Sequence, residues 1–136
     1  MPTAAIAAGG GAVAIAAGDS HTLVITAAAG AVLAWGRNLE HECDVPASLA
    51  SGQAVVAGGT YHSCALSASG AVTCWGWGGD GETSVPAAQA SGGQLGLTCG
   101  SFHTCAINSQ GAAVCWGYNS YGAYRTLSGT EQITAA

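Results

Sequence analysis

Cysteine and histidine recur in this sequence at spacings that could support metal or disulfide chemistry. His62 and Cys64 stand two residues apart, as do His103 and Cys105, and a second cysteine follows ten residues later at Cys74 and Cys115. A His-x-Cys pair could offer an imidazole nitrogen and a thiolate to a soft metal. The same cysteines could close disulfides across a hairpin, or stay as buried thiols. His21, His62 and His103 are 41 apart (62 − 21 and 103 − 62), so a ring of imidazoles is a further possibility.

The spacing of these residues belongs to a repeat. Trp35, Trp75 and Trp116 lie 40 and 41 apart, Val45-Pro46 and Val85-Pro86 lie 40 apart, and Gly18, Gly59 and Gly100 each precede the histidine by three. Self-similarity at a period of about 20 to 50 residues marks solenoids, propellers and arrays. Each unit reads as four segments. A first strand covers Ala12–Ala17, Gln53–Ala57 and Gln94–Cys99. A second follows the Gly-x-x-His turn, over Thr22–Thr26, Ser63–Ser67 and Thr104–Asn108. A third ends at the tryptophan, over Ala31–Trp35, Ala71–Trp75 and Ala112–Trp116. A longer polar loop closes the unit, with a short extended piece at Val-Pro. Short strands joined by Gly-rich turns at regular spacing indicate an all-β array, and no window holds a helical period free of glycine. The units run over 12–52, 53–93 and 94–130, after a flexible Ala/Gly lead-in at 1–11. Residues 131–136 read as the first strand of a fourth unit.

Within this frame the cysteines can be weighed. A pairing in which residue numbers sum to 138 sets Cys64 opposite Cys74, and a sum of 220 sets Cys105 opposite Cys115. Directly opposite residues in a non-hydrogen-bonded pair lie about 4.5 Å apart at Cα, within reach of a disulfide. Disulfides are the favoured reading, over free thiols. A metal site is disfavoured because successive His-x-Cys copies sit on different blades. Cys43 and Cys99 occupy non-equivalent positions and are expected to be free or to pair with each other. The histidines are expected to bond neighbouring backbone carbonyls and fix their turns. The tryptophans are expected to pack blade against blade, since each buries about 150 to 250 Å².

Composition excludes some functions. Only 7% of the 136 residues are charged, the net charge is −5, and the basic residues are Arg37 and Arg125. A phosphate-binding surface needs several basic residues, so nucleic acid is not an expected partner. No run of about 20 apolar residues suggests a membrane span, and no basic n-region suggests a signal peptide. No P-loop, dinucleotide fingerprint or nucleophile-base motif is present, so neither an enzyme nor a cofactor is expected.

The pattern AGxxHxxAL…GxVxxWGxN, repeated three times between about Ala12 and Leu127, resembles the regulator-of-chromosome-condensation repeat superfamily. The short period and the segment GDGETSVPAAQASG resemble its secreted bacterial β-lactamase-inhibitor branch. That resemblance implies a β-propeller of four-stranded blades, seven in a full family ring. Three units cannot close a ring, since propellers use about four to eight blades. The array is expected to be part of a longer chain, or to be completed by further copies or by partners. The nucleotide-exchange activity of the founding member is not implied, because its basic and inserted elements are missing.

Function is sought where the repeats disagree. The residue before each histidine is Ser20, Tyr61 or Phe102, and the residue after each Trp-Gly is Arg37, Trp77 or Tyr118. Further on stand Leu39 and His41, Gly79 and Asp80, then Ser120 and Tyr121. Turns of one shape with varied chemistry suit a recognition surface. In the inhibitor branch, aromatic and polar residues on these loops grip the partner. The resemblance therefore implies protein binding through Tyr61, Phe102, Trp77, Tyr118, Tyr121 and Arg37. The expected function is a non-enzymatic protein-binding module, with a structural subunit of a larger assembly as the second reading. The paired cysteines point to an extracellular or otherwise oxidising compartment.

Overall fold

The structure, a computed structural model, describes residues 1–124. Nine strands form three separate antiparallel sheets, each of three strands in chain order. The first sheet holds β1 (Ala12–Ala17), β2 (His21–Thr26) and β3 (Val32–Gly36). The second holds β4 (Gln53–Gly58), β5 (His62–Ser67) and β6 (Val72–Gly76). The third holds β7 (Gln94–Cys99), β8 (His103–Asn108) and β9 (Ala113–Gly117). Every first strand carries a bulge near its start, at Ala12/Ala14, Gln53/Val55 and Gln94/Gly96.

The expected fourth strand of each blade does not form among these residues. Val45 donates its N–H to the carbonyl of Cys43, Val85 donates to Thr83, and the prolines that follow have no N–H to give. Neither segment therefore offers a ladder donor at these positions, and neither pairs with a sheet. The chain is extended at Pro46 and Pro86 and then turns helical, as a 3-10 turn at Ala47–Leu49 and as α2 at Ala87–Ser91. The lead-in is not all loose either. Thr3–Ala8 forms a short helix, α1, and the carbonyls of Gly9 and Gly11 accept from Ala28 and Ala27 in the β2–β3 turn. The expected strand at 131–136, Arg125, and the end of the third unit lie outside the described residues.

Register follows the cysteines as expected. Cys64 pairs with Cys74 and Leu66 with Val72, while Cys105 pairs with Cys115 and Ile107 with Ala113. Both cysteine pairs are disulfides, with Cα atoms 4.1 Å apart. Cys43 and Cys99 are free thiols, and Cys43 Sγ donates to the Arg37 carbonyl at 3.1 Å. Digestion without reduction should yield Cys64–Cys74 and Cys105–Cys115 peptides by mass spectrometry, with Cys43 and Cys99 alkylatable. Finding all six thiols free would overturn the pairing and the oxidising setting it suggests.

The core lies between sheets. Leu23, Ile25 and Val32 of the first sheet meet Val56, Ala65 and Trp75 of the second, with Leu49 closing one end. Leu66 and Val72 of the second sheet meet Ala106 and Trp116 of the third. Alternation along β5 sends Ala65 to one neighbour and Leu66 to the other. The second sheet is thus covered on both faces, and its strand β5 is buried over five of six residues. Among the described residues, no helix is long and apolar enough to cross a membrane.

Candidate functional site

Each sheet junction is made by the same polar groups. His21 Nε2 lies 2.9 Å from Ser63 Oγ, and His62 Nε2 lies 3.0 Å from Thr104 Oγ1. Those hydroxyls donate to the carbonyls of Glu42 and Glu82 at 2.8 and 3.0 Å. They must therefore accept from Nε2–H, which leaves each Nδ1 without a proton and, as observed, without a partner. The expectation that the histidines bond backbone carbonyls is corrected here: the partner is a hydroxyl of the next sheet. The ring packs closely against the glycine three residues earlier, where a Cβ at Gly59 would collide with the His62 ring. The indoles of Trp75 and Trp116 complete the junctions by donating to the same Glu42 and Glu82 carbonyls, at 2.9 and 2.8 Å. Trp35 is only partly buried, and among the described residues no sheet packs on it from the N-terminal side.

Glu42 and Glu82 are residues that the sequence reading passed over. Both are fully buried. They stand 40 apart and seven after their tryptophans, a spacing that marks them as part of the repeat. One oxygen of each accepts a backbone N–H two residues earlier, from Glu40 at 2.8 Å and Asp80 at 3.0 Å. The other oxygen of Glu42 meets Arg37 Nη1 at 2.9 Å. In the second unit Trp77 replaces that arginine, so Glu82 Oε1 is buried without a partner and burial pushes the carboxyl up. The third unit has Ala123 at this position.

The variable positions form a ladder across the sheets. In every unit the two are clasped by backbone, with Arg37 N–H donating to Ser20, Trp77 to Tyr61 and Tyr118 to Phe102, all at 2.9 Å. The Arg37 guanidinium, held by Glu42, lies 4.5 Å from the Tyr61 ring centre. Tyr61 then meets Phe102 at 6.0 Å, Phe102 meets Tyr118 at 6.5 Å, and Tyr118 meets Tyr121 at 5.9 Å, in tilted and edge-on geometries. Such spacings suit favourable ring pairing. Five of the six residues expected to bind a partner are thus contiguous. Trp77 stands apart, folded over Gly79 and 41% exposed. The far end of the ladder opens into a cleft of about 470 Å³, walled by Phe102, His103, Tyr118, Tyr121, Asp80 and Ala123. At this end the His103 ring lies 5.5 Å from Tyr124.

One junction also gathers cysteine sulfurs around an imidazole. His62, Cys64 and Cys99 bring their ligand atoms within 4.8 Å of one another. Cys64 and His62 share one face of β5, and Cys99 faces them from β7. The sequence reading discounted a metal cluster because the His-x-Cys copies lie on different blades. The third group comes from neither copy, and the facing sheet supplies it. Burial pushes the Cys99 thiol up to about 12 and the His62 imidazole down to about 4.

The repeat model for regulator of chromosome condensation (RCC1) matches residues 12–42, 53–82 and 96–123. The chain belongs to the RCC1 repeat family. Solved structures agree with this RCC1-like architecture. Human WBSCR16 superposes with a TM-score of 0.68 at 24% identity, over 81% of this chain and 34% of its own. The CRINKLY WD40 ectodomain of the Arabidopsis thaliana receptor kinase ACR4 gives 0.64 at 29% identity, over 79% and 36%. Prp20p from Saccharomyces cerevisiae, described with its binding properties to Gsp1p and histones, gives 0.65 at 20% identity, over 79% and 33%. The RCC1-like chain spans about a third of the length of these structures. No curated protein sequence matches it.

Proposed function

We propose that this RCC1-like chain is a non-enzymatic protein-binding module that presents its aromatic ladder to a partner protein. The observation that carries the reading is the unbroken run Arg37–Tyr61–Phe102–Tyr118–Tyr121 at a corner where the repeats vary. Rigid sheets fix the ring positions before binding, which lowers the ordering cost of association. Tyr and Arg are favoured anchor residues, and Tyr121, 90% exposed, is open to contact. Protein binding is also a documented property of a relative with this fold, since Prp20p is described as binding Gsp1p and histones. The two disulfides favour an extracellular or otherwise oxidising setting for the encounter.

The test is affinity capture from the source organism, followed by measurement with the isolated partner. Phe102→Ala combined with Tyr118→Ala should weaken binding at least about 30-fold, as expected of two anchors worth about 1 to 2 kcal/mol each. Ser109→Ala, on the far β8–β9 turn, should leave it unchanged. A partner that binds both variants equally would overturn the ladder as the binding surface.

A second reading, a subunit that docks by its sheet faces, is favoured by Val13 and Ile15, which are 67% and 73% exposed on β1. Self-association through that face would appear as concentration-dependent mass in light scattering. A monomer at all concentrations would count against it.

A further inference from the structure

The junction between the second and third sheets differs from its counterpart in a way that the repeat does not require. At the first junction the positions equivalent to His62, Cys64, Cys74 and Cys99 hold His21, Leu23, Ala34 and Gly58. The third hairpin has its own His103, Cys105 and Cys115, but no further thiol is grouped with them among the described residues. Among the described residues, only at the second junction do three sulfurs and an imidazole come together. We propose that reduction of the Cys64–Cys74 disulfide converts this junction into a site for one thiophilic divalent cation of the zinc class, held by Cys64, Cys74, Cys99 and His62.

Three sulfurs and one imidazole are a ligand set that zinc takes in tetrahedral structural sites. With Zn–S near 2.3 Å and Zn–N near 2.0 to 2.1 Å, the ligand atoms of such a shell stand about 3.5 to 3.8 Å apart. Three of the four already lie within 4.8 Å, on the facing surfaces of two packed sheets. The fourth, Cys74, is opposite Cys64 in the ladder and bonded to it. Breaking that bond lets the two sulfurs separate to coordination spacing with no change of register. The Thr104 hydroxyl caps the cluster from one side, 3.0 Å from His62 Nε2, 3.7 Å from Cys64 Sγ and 4.0 Å from Cys99 Sγ. A cation entering between the three ligand atoms takes over His62 Nε2, whose proton moves to Nδ1, and Thr104 keeps its bond to the Glu82 carbonyl.

The redox step balances with a dithiol reductant of the thioredoxin type. Two electrons and two protons pass to Cys64 and Cys74, and the reductant becomes a disulfide. Cation binding then releases the three thiol protons of Cys64, Cys74 and Cys99. The same four residues thus have two exclusive closed forms, one with a sulfur–sulfur bond and one with a metal, and the redox setting selects between them.

The test uses the full chain, reduced anaerobically with a phosphine and freed of metal. Zn²⁺ is titrated against a chromophoric chelator, and Co²⁺ is followed by its thiolate charge-transfer and tetrahedral d–d bands, with circular dichroism recorded throughout. The expected result is one ion per reduced chain and none per oxidised chain. Cys99→Ser should weaken uptake at least 10-fold, and Cys43→Ser and Cys105→Ser should leave it unchanged. If reduction loosens the fold, the metal should restore it in the wild type but not in Cys99→Ser. Failure of the reduced wild type to take up zinc, folded or not, would overturn the proposal. Equal uptake by wild type and Cys99→Ser, or equal losses in Cys99→Ser and Cys105→Ser, would do the same.

Discussion

Trp75→Ala is expected to destabilise the chain by about 3 to 5 kcal/mol, the cost of emptying a large aromatic site in a packed core. The Trp75 side chain is 8% exposed and lies among Leu23, Ile25, Leu49 and Val56. Its indole N–H is one of two donors to the buried Glu42 carbonyl, so truncation also weakens a polar contact that water cannot readily replace. Trp77, two residues on, should behave differently. It is 41% exposed and belongs to neither core cluster, so Trp77→Ala should change stability by less than about 1 kcal/mol. Urea unfolding followed by circular dichroism separates the two, and equal losses would contradict the division into junction and surface tryptophans.

Mild acid should also weaken the fold, through the junction imidazoles. His62 is fully buried as the Nε2–H tautomer, and its Nδ1 has nothing to receive a second proton's charge. Burial first, then the neighbouring His21 and His103, lowers it to about 4 from an ordinary 6.5. Between these values the unfolded chain binds the proton and the folded chain does not, so stability falls as pH drops from about 6.5 to about 4. The full contribution is present above 6.5, and its loss amounts to about 3 kcal/mol at 1.36 kcal/mol per pH unit. His21, lowered chiefly by burial, adds in the same direction. Glu82, raised by burial, opposes them as it protonates. Denaturation midpoints of the oxidised chain across this range give the slope, and His62→Asn should flatten most of it. An unchanged slope in that variant would show that another group carries the acid sensitivity.

The repeat was legible because it is written in residues that cannot easily be replaced. Histidine, tryptophan and glycine recur at fixed positions, and the cysteine pairs set the hairpin register to the residue. The variable corner was also legible, since it is where the repeats stop agreeing. Its contiguity was not, because the backbone clasp that joins Phe102 to Tyr118 spans 16 residues (118 − 102) and leaves no local pattern. The junction partners were hidden for a related reason. Ser63 and Thr104 look like ordinary strand residues, and each finds its imidazole 42 positions away. The fourth strand failed on a local detail: Val-Pro reads as extended, and is, but with Val45 and Val85 bonded two residues back no ladder donor remains.

The pairing of an earlier imidazole with a later hydroxyl, and of a later indole with an earlier carbonyl, has a consequence for descent. Every junction is specified half by one unit and half by its successor, in the same sense each time. Duplicating one whole unit therefore duplicates a complete set of instructions, and the new copy fits between its parents without inventing a contact. Loss of a whole unit is equally silent at the seam, because His21 would meet Thr104 as it now meets Ser63. A cut at any other length would strand a donor in the interior. Such an array can change its number of blades in single genetic steps while its loops diverge, and the junction polar groups are the grammar that keeps each edit readable.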